Sequence, residues 1–304
     1  MSLMKTTSAP LVSLLAALAL TGLLASCPTI PANKTSGDWL GILPRDASFY
    51  LYINHTQANP VLKAILKKSG QDSPSIEAVL DNTVKSYLSV RLMPQGGSEV
   101  SFVLLGGYLR GYIRGVLKNS KDWIQVNDSV SYFQNTNQKI QVALPEPYML
   151  LVSTGDIKNM LTNRKDQSVF PLQKQIDLDM DSSDLLLFFP LGLENNLADK
   201  LRINWRKISV QGIWLTARAR DDGYIFSGIF LIANQTGARL FSTIFKLTLA
   251  ALLRDIDVER AGSRLKDVQV LVVDNRVKIT DLFFSNDELV NMVASLINNK
   301  GEKK

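Results

Sequence analysis

The sequence predicts an α+β body of two tandem related modules, each a mainly antiparallel sheet with helices on one face. Three observations predict it. Apolar runs of alternating character come in pairs around short turn-forming stretches, the pattern of hairpins. Segments with apolar residues three and four apart follow those pairs, the spacing of helices packed on a surface. The same elements then recur in the same order in both halves of the 304-residue chain. Hairpins favour antiparallel pairing, and the helices must cover the apolar face that this leaves.

The first module opens with SFYLYINH from Ser48, a strand, followed by helical spacing over 60–68. YLSVRLMP from Tyr87 leads through Gln95-Gly96-Gly97 into a returning strand over 100–105. Tyr112, Ile113, Val116, Leu117 and Lys118 mark the next helix. The stretch from Ile140 gives a strand pair, and Ser153-Thr154-Gly155-Asp156 supplies side-chain oxygens and an acid for the start of a closing helix.

The second module repeats this order. DLLLFFPL from Asp184 is its first strand, 193–201 its first helix, and WLTARARD from Trp214 turns at Asp221-Asp222-Gly223 into a strand over 226–232. Arg218 falls against Arg91. Leu240, Phe241, Ile244, Phe245 and Lys246 fall against the helix that begins near Tyr112. A strand pair from Val268 ends at Ser285-Asn286-Asp287-Glu288, a second helix start. Apolar periodicity lapses over 166–184, so the modules are expected over 39–170 and 171–304.

Ahead of the body, residues 1–26 carry Lys5, no acid, and an apolar run over 11–24 that is short for a membrane span and rich in small residues, as in an export signal. The run ends on Cys27, the single cysteine. Leu24-Ala25-Ser26-Cys27 resembles the lipobox of bacterial lipoproteins. That resemblance implies removal of residues 1–26, a diacylglyceryl group on the Cys27 thiol, and often a further acyl chain such as palmitate on the new amino terminus. It also implies a bacterial cell-envelope location, with the body outside the cytoplasm and the membrane as partner. Residues 27–38, with Pro28, Pro31, Ser36 and Gly37, read as a flexible spacer. LPRDASFYLYIN, with Leu43, Pro44, Asp46 and Tyr50, resembles the first strand of uncharacterised bacterial envelope-protein families, which implies no activity.

The net charge of +6 is spread along the chain, without the concentrated basic stripe of a nucleic-acid surface. His55 is the one histidine, and it reads as a solvated turn residue. With no thiolate to spare it cannot build the usual zinc shell. No G-x-S-x-G stretch flags a nucleophile. Asp177, Asp179, Asp181 and Asp184 lie close together, but Ser182 and Phe188 stand where a calcium loop needs glycine and glutamate. Gly107, Gly111 and Gly115, four apart, suggest close packing of a helix on its sheet. The most apolar helix, from Ala238, is expected to be core, although Phe241, Phe245 and Leu252 could line a pocket for an acyl chain.

The expectation is a noncatalytic lipoprotein acting as a binding or scaffolding module, without cofactor or metal. A carrier of lipid or another apolar ligand is the alternative, and a hydrolase using carboxylates alone is a further one.

Overall fold

The computed structural model describes residues 36–93, 95, 97–127, 130–165, 182–190, 208–256 and 265–298. The expected helix over 193–201, residues 1–26, most of the spacer including Cys27, and the acidic residues Asp177, Asp179 and Asp181 lie outside them. The body mixes helices with antiparallel strands. It divides between Ser182 and Ser183 into two compact units, the first also taking in the chain from Ala294.

In the first unit the order is α1 (Ser36–Leu40), β1 (Phe49–Asn54), α2 (His55–Lys68), α3 (Pro74–Asn82), β2 (Thr83–Leu92), β3 (Ser98–Gly106), α4 (Arg110–Asn119), β4 (Trp123–Asn127), β5 (Ser131–Asn135), β6 (Gln141–Glu146), β7 (Met149–Ser153) and α5 (Ile157–Lys165). Its strands lie in the order β1-β2-β3-β7-β6-β5-β4. Leu92 pairs with Ser98 to close the β2–β3 hairpin, and Ser101 pairs with Ser153 where β3 meets β7.

Three features differ from the sequence reading. First, α2 starts five residues before Pro60, because the Asn54 side chain accepts a hydrogen bond from the Thr56 amide and caps the helix at His55. Second, Ser73 caps α3 through the Ile76 amide, with Pro74 in the first turn where its missing N–H costs nothing. Third, β4 and β5 form an additional hairpin between α4 and β6.

The expectation of helices on one face does not hold for this unit. All five residues of β7 are buried although strand side chains alternate between faces, so both faces are covered. Leu150 and Val152 join Val142 and Leu144 of β6, Val79 of α3, and Ile113 and Leu117 of α4 in one cluster. Helix α5 buries Ile157, Met160 and Leu161 and packs on β6 and β7 outside that cluster. A strand reading Met-Leu-Leu-Val has no polar face to leave in water.

The second unit runs β8 (Leu185–Phe189), β9 (Val210–Arg220), β10 (Gly223–Ile232), α6 (Gln235–Ile256), β11 (Gln269–Val273), β12 (Arg276–Ser285) and the start of α7 (Asn286–Asn298), whose residues from Ala294 belong to the first unit. Its strands lie in the order β11-β12-β10-β9-β8. Two-residue turns close both hairpins. Arg220 pairs with Gly223 across Asp221-Asp222, and Val273 with Arg276 across Asp274-Asn275. Asp221 and Asp274 adopt positive φ, 43° and 54°, which Asp tolerates because its short side chain bonds locally. Gly223 belongs to β10, three residues before the expected strand start, and a methyl group there would stand 2.3 Å from the Phe284 carbonyl oxygen. Between Phe226 and Gly228, β12 carries one extra residue beside Asp281 at φ 62°, a bulge. Helix α7 opens on a reciprocal cap: the Ser285 amide donates to Glu288 Oε2 and the Glu288 amide to Ser285 Oγ.

Candidate functional site

Helix α6 carries the sequence's one candidate ligand surface. Phe241 is wholly buried, with its ring centroid 4.9 Å from Phe230 of β10. Phe245 stands 5.8 Å from Phe230 and 6.0 Å from Phe241, so the three rings fill the space between helix and sheet. With Ala238, Ile232, Val277 and Ile279 they form the core of this unit. Leu252, three turns beyond Phe241, is exposed instead. The structure therefore brings Phe241 and Phe245 together and leaves Leu252 apart from them.

The opposite side of α6 is apolar as well. Leu240, Leu247 and Ala251 are exposed at i, i+7 and i+11, with Leu247 keeping 68% of its surface in water, while Ile244 between them is half-buried and packs against the core. Exposed Arg239, Lys246 and Arg254 lie along the same helix. Among the described residues, Gln235–Arg254 is long and apolar enough to cross a membrane, but Ala238, Phe241, Leu249 and Leu253 of that segment are buried within the fold.

His55 is not the solvated turn residue the sequence suggests. It is the first residue of α2 and only 4% exposed. Asn59 Nδ2 donates to the Leu80 carbonyl, which presents Asn59 Oδ1 to His55 Nδ1 at 2.8 Å and fixes the proton on Nδ1. His55 Nε2 then accepts from Ser86 Oγ at 2.9 Å. Burial pushes the imidazole below its ordinary pKa, and the Asn59 hydrogen bond opposes this more weakly. Beside it opens a cleft of about 400 Å³ lined by Thr56, Asn59, Lys63, Asp81 and Thr83, with Lys63 Nζ 2.6 Å from Asp81 Oδ1.

The series Ser86, His55, Asn59 has the connectivity of a nucleophile, a base and an orienting group. Its setting argues for a structural tie. Ser86 lies mid-strand, paired with Ile53 on one side and Leu104 on the other, so its backbone is held in two ladders and offers no donor pair for an oxyanion. The network fastens α2 to β2. Its sequence signal was an asparagine four residues after the histidine, on the same helix face; the serine, 31 residues away, gave none.

Among the described residues no group of three or more His, Cys, Asp or Glu could hold a metal ion. Asp184 accepts a 2.7 Å hydrogen bond from the Ala219 amide, tying the start of β8 to β9. A methyl group at Gly111 or Gly115 would meet no atom within 4 Å, so close packing does not explain these glycines. Arg91 forms ion pairs with Asp46 and Glu99.

No family model matches the chain, and no curated protein matches it. Solved structures do. Crystal form I of TP0453 is similar with a TM-score of 0.61 at 16% identity, covering 87% of this chain and 98% of that chain. Form III gives 0.60 at 16% identity, with 84% and 97% covered. Form IV gives 0.59 at 16% identity, with 86% and 100% covered. At this identity the similarity is one of fold.

Proposed function

We propose that the chain is a noncatalytic bacterial envelope lipoprotein, held to a membrane through acyl chains on Cys27, whose body serves as a binding or scaffolding module. The observation that carries this reading is the placement of the only thiol directly after Leu24-Ala25-Ser26 at the end of the apolar export segment. One acyl chain anchors marginally, at roughly 0.8 kcal/mol per buried methylene against the cost of ordering, whereas two or more anchor stably. Leu240 and Leu247, exposed seven residues apart on one side of α6, support a docking role for the body, since exposed apolar side chains on one helix face can seat a partner. Close packing of Phe230, Phe241 and Phe245 favours a scaffold over a carrier, because those rings already occupy the space an acyl chain would need.

The body is further proposed to be a duplicated module, 39–170 and 171–304. Support comes from the strand orders β1-β2-β3-β7-β6 and β8-β9-β10-β12-β11, which place successive elements in the same sequence of neighbours. In both, a helix follows the hairpin and another follows the final strand. On this reading β4 and β5 are an insertion in the first copy.

Metabolic labelling with a fatty acid tests the anchor. The wild-type chain should take up label and partition into detergent, and Cys27→Ser should do neither. Persistent labelling of Cys27→Ser would defeat the lipoprotein reading.

A further inference from the structure

Strand β11 ends its sheet. It pairs with β12 from Gln269 to Val273, and among the described residues nothing pairs with its outer edge. Such an edge presents unpaired N–H and C=O groups, and folded proteins usually blunt it with charge, proline or a bulge. From Gln269 to Val273 there is no charge, proline or glycine, and the register with β12 is unbroken. Leu271 and Val273 are 51% and 60% exposed on one face, while Val270 and Val272 pack into the α6 core on the other. The strand in the same place in the first unit's order, β6, has its outer edge occupied by antiparallel β5, with Phe133 opposite Val142 and Gln134 opposite Gln141.

We infer that β11 docks antiparallel on β11 of a second copy of this chain. The stretch around Leu271 is close to palindromic in character. A two-fold axis through Leu271, normal to the sheet, places Leu271 opposite Leu271, Val270 opposite Val272 and Gln269 opposite Val273. Because the axis is normal to the sheet, the α6 faces of both copies stay on one side and the Leu271 faces on the other. Continuing outward, Val268 meets Asp274 and Asp267 meets Asn275, so no like charges are opposed along β11 or within two residues of its ends; Lys266 and Arg276 would come next, beyond the paired strand. This identifies a partner that the scaffold reading leaves open, and it does not depend on lipid attachment.

The test uses the chain carrying Cys27→Ser, which has no other thiol. Directly opposed residues of an antiparallel pair lie about 4.5–5.5 Å apart at Cα, within disulfide reach. Adding Leu271→Cys should therefore give a covalent dimer on mild oxidation. Ile229→Cys, 39% exposed but on β10 away from the edge, should give little. Leu271→Glu faces Lys278 of β12 within its own chain, so it leaves the β11–β12 pairing supported while setting two like charges across the axis, and it should weaken self-association in sedimentation equilibrium by about tenfold or more. A chain that stays monomeric at all concentrations, equal crosslinking at 229 and 271, or a dimer indifferent to Leu271→Glu would each overturn the inference.

Discussion

His55 is held neutral by its surroundings, and this gives the first unit a pH response of definite sign. Its folded pKa lies below the ordinary 6.5, so as pH falls the unfolded chain takes up the proton before the folded chain does. The contribution is complete above 6.5 and is lost as pH falls toward and through the lowered folded value. Denaturant midpoints measured down that range should fall for the wild type, and the difference from His55→Gln should narrow as pH falls. A constant difference would mean that the imidazole is not titrating in the fold as described. At neutral pH, His55→Ala should cost about 1–3 kcal/mol, because Ser86 and Asn59 lose buried partners. The phenylalanines of α6 make a second case. Phe241→Ala should cost about 3–5 kcal/mol, and Phe245→Ala less because that ring is only partly buried. Unfolding with and without added fatty acid should show no stabilising shift. A saturable shift abolished by either substitution would instead establish the carrier.

At the scale of elements, the two glycines of α4 are an unforced cost. Gly111 and Gly115 have negative φ and open space around them, so Gly111→Ala and Gly115→Ala should each stabilise the protein by about 0.5–1 kcal/mol in chemical denaturation. Gly106 behaves oppositely. A methyl group there would stand 1.9 Å from the Asn82 carbonyl oxygen, which accepts the Gly107 amide, so Gly106→Ala should destabilise by about 1–3 kcal/mol or more in the same assay. These elements also show what could be read before folding. The hairpins around Gln95-Gly96-Gly97 and Asp221-Asp222-Gly223 were legible because turn residues interrupt alternating runs, and α7 because its cap is written as Ser285 and Glu288 three apart. Helix α2 begins earlier than its sequence suggests, because Pro60 resembles a helix start whereas the Asn54 cap acts first. The β4–β5 hairpin is not legible in the sequence, because Trp123–Asn127 and Ser131–Asn135 mix polar and apolar residues, and their pairing rather than their composition makes them strands.

For the molecule as a whole, the α+β class followed from period and order, since each spacing answers to one kind of secondary structure. The second helix-bearing face of the first unit did not, because a fully apolar strand such as β7 looks the same in sequence whichever layer covers it. Of the candidate site, the burial of Phe241 was legible from helical spacing. The His55 network was not, because its closure by Ser86 depends on which strand lies beneath α2. The pairing of β3 with β7 also bears on the order of assembly. Ser101 and Ser153 share a buried 2.9 Å hydrogen bond across 52 residues, whereas β2 and β3 meet across a short turn. Closing the longer loop loses more chain entropy before any contact rewards it, so the β2–β3 hairpin should be formed in the folding transition state and the β3–β7 seam should form after it. Ser153→Ala should therefore accelerate unfolding while leaving the refolding rate nearly unchanged, whereas Tyr87→Leu in β2 should slow refolding. Stopped-flow kinetics showing the reverse pattern would place the seam, not the hairpin, in the folding nucleus.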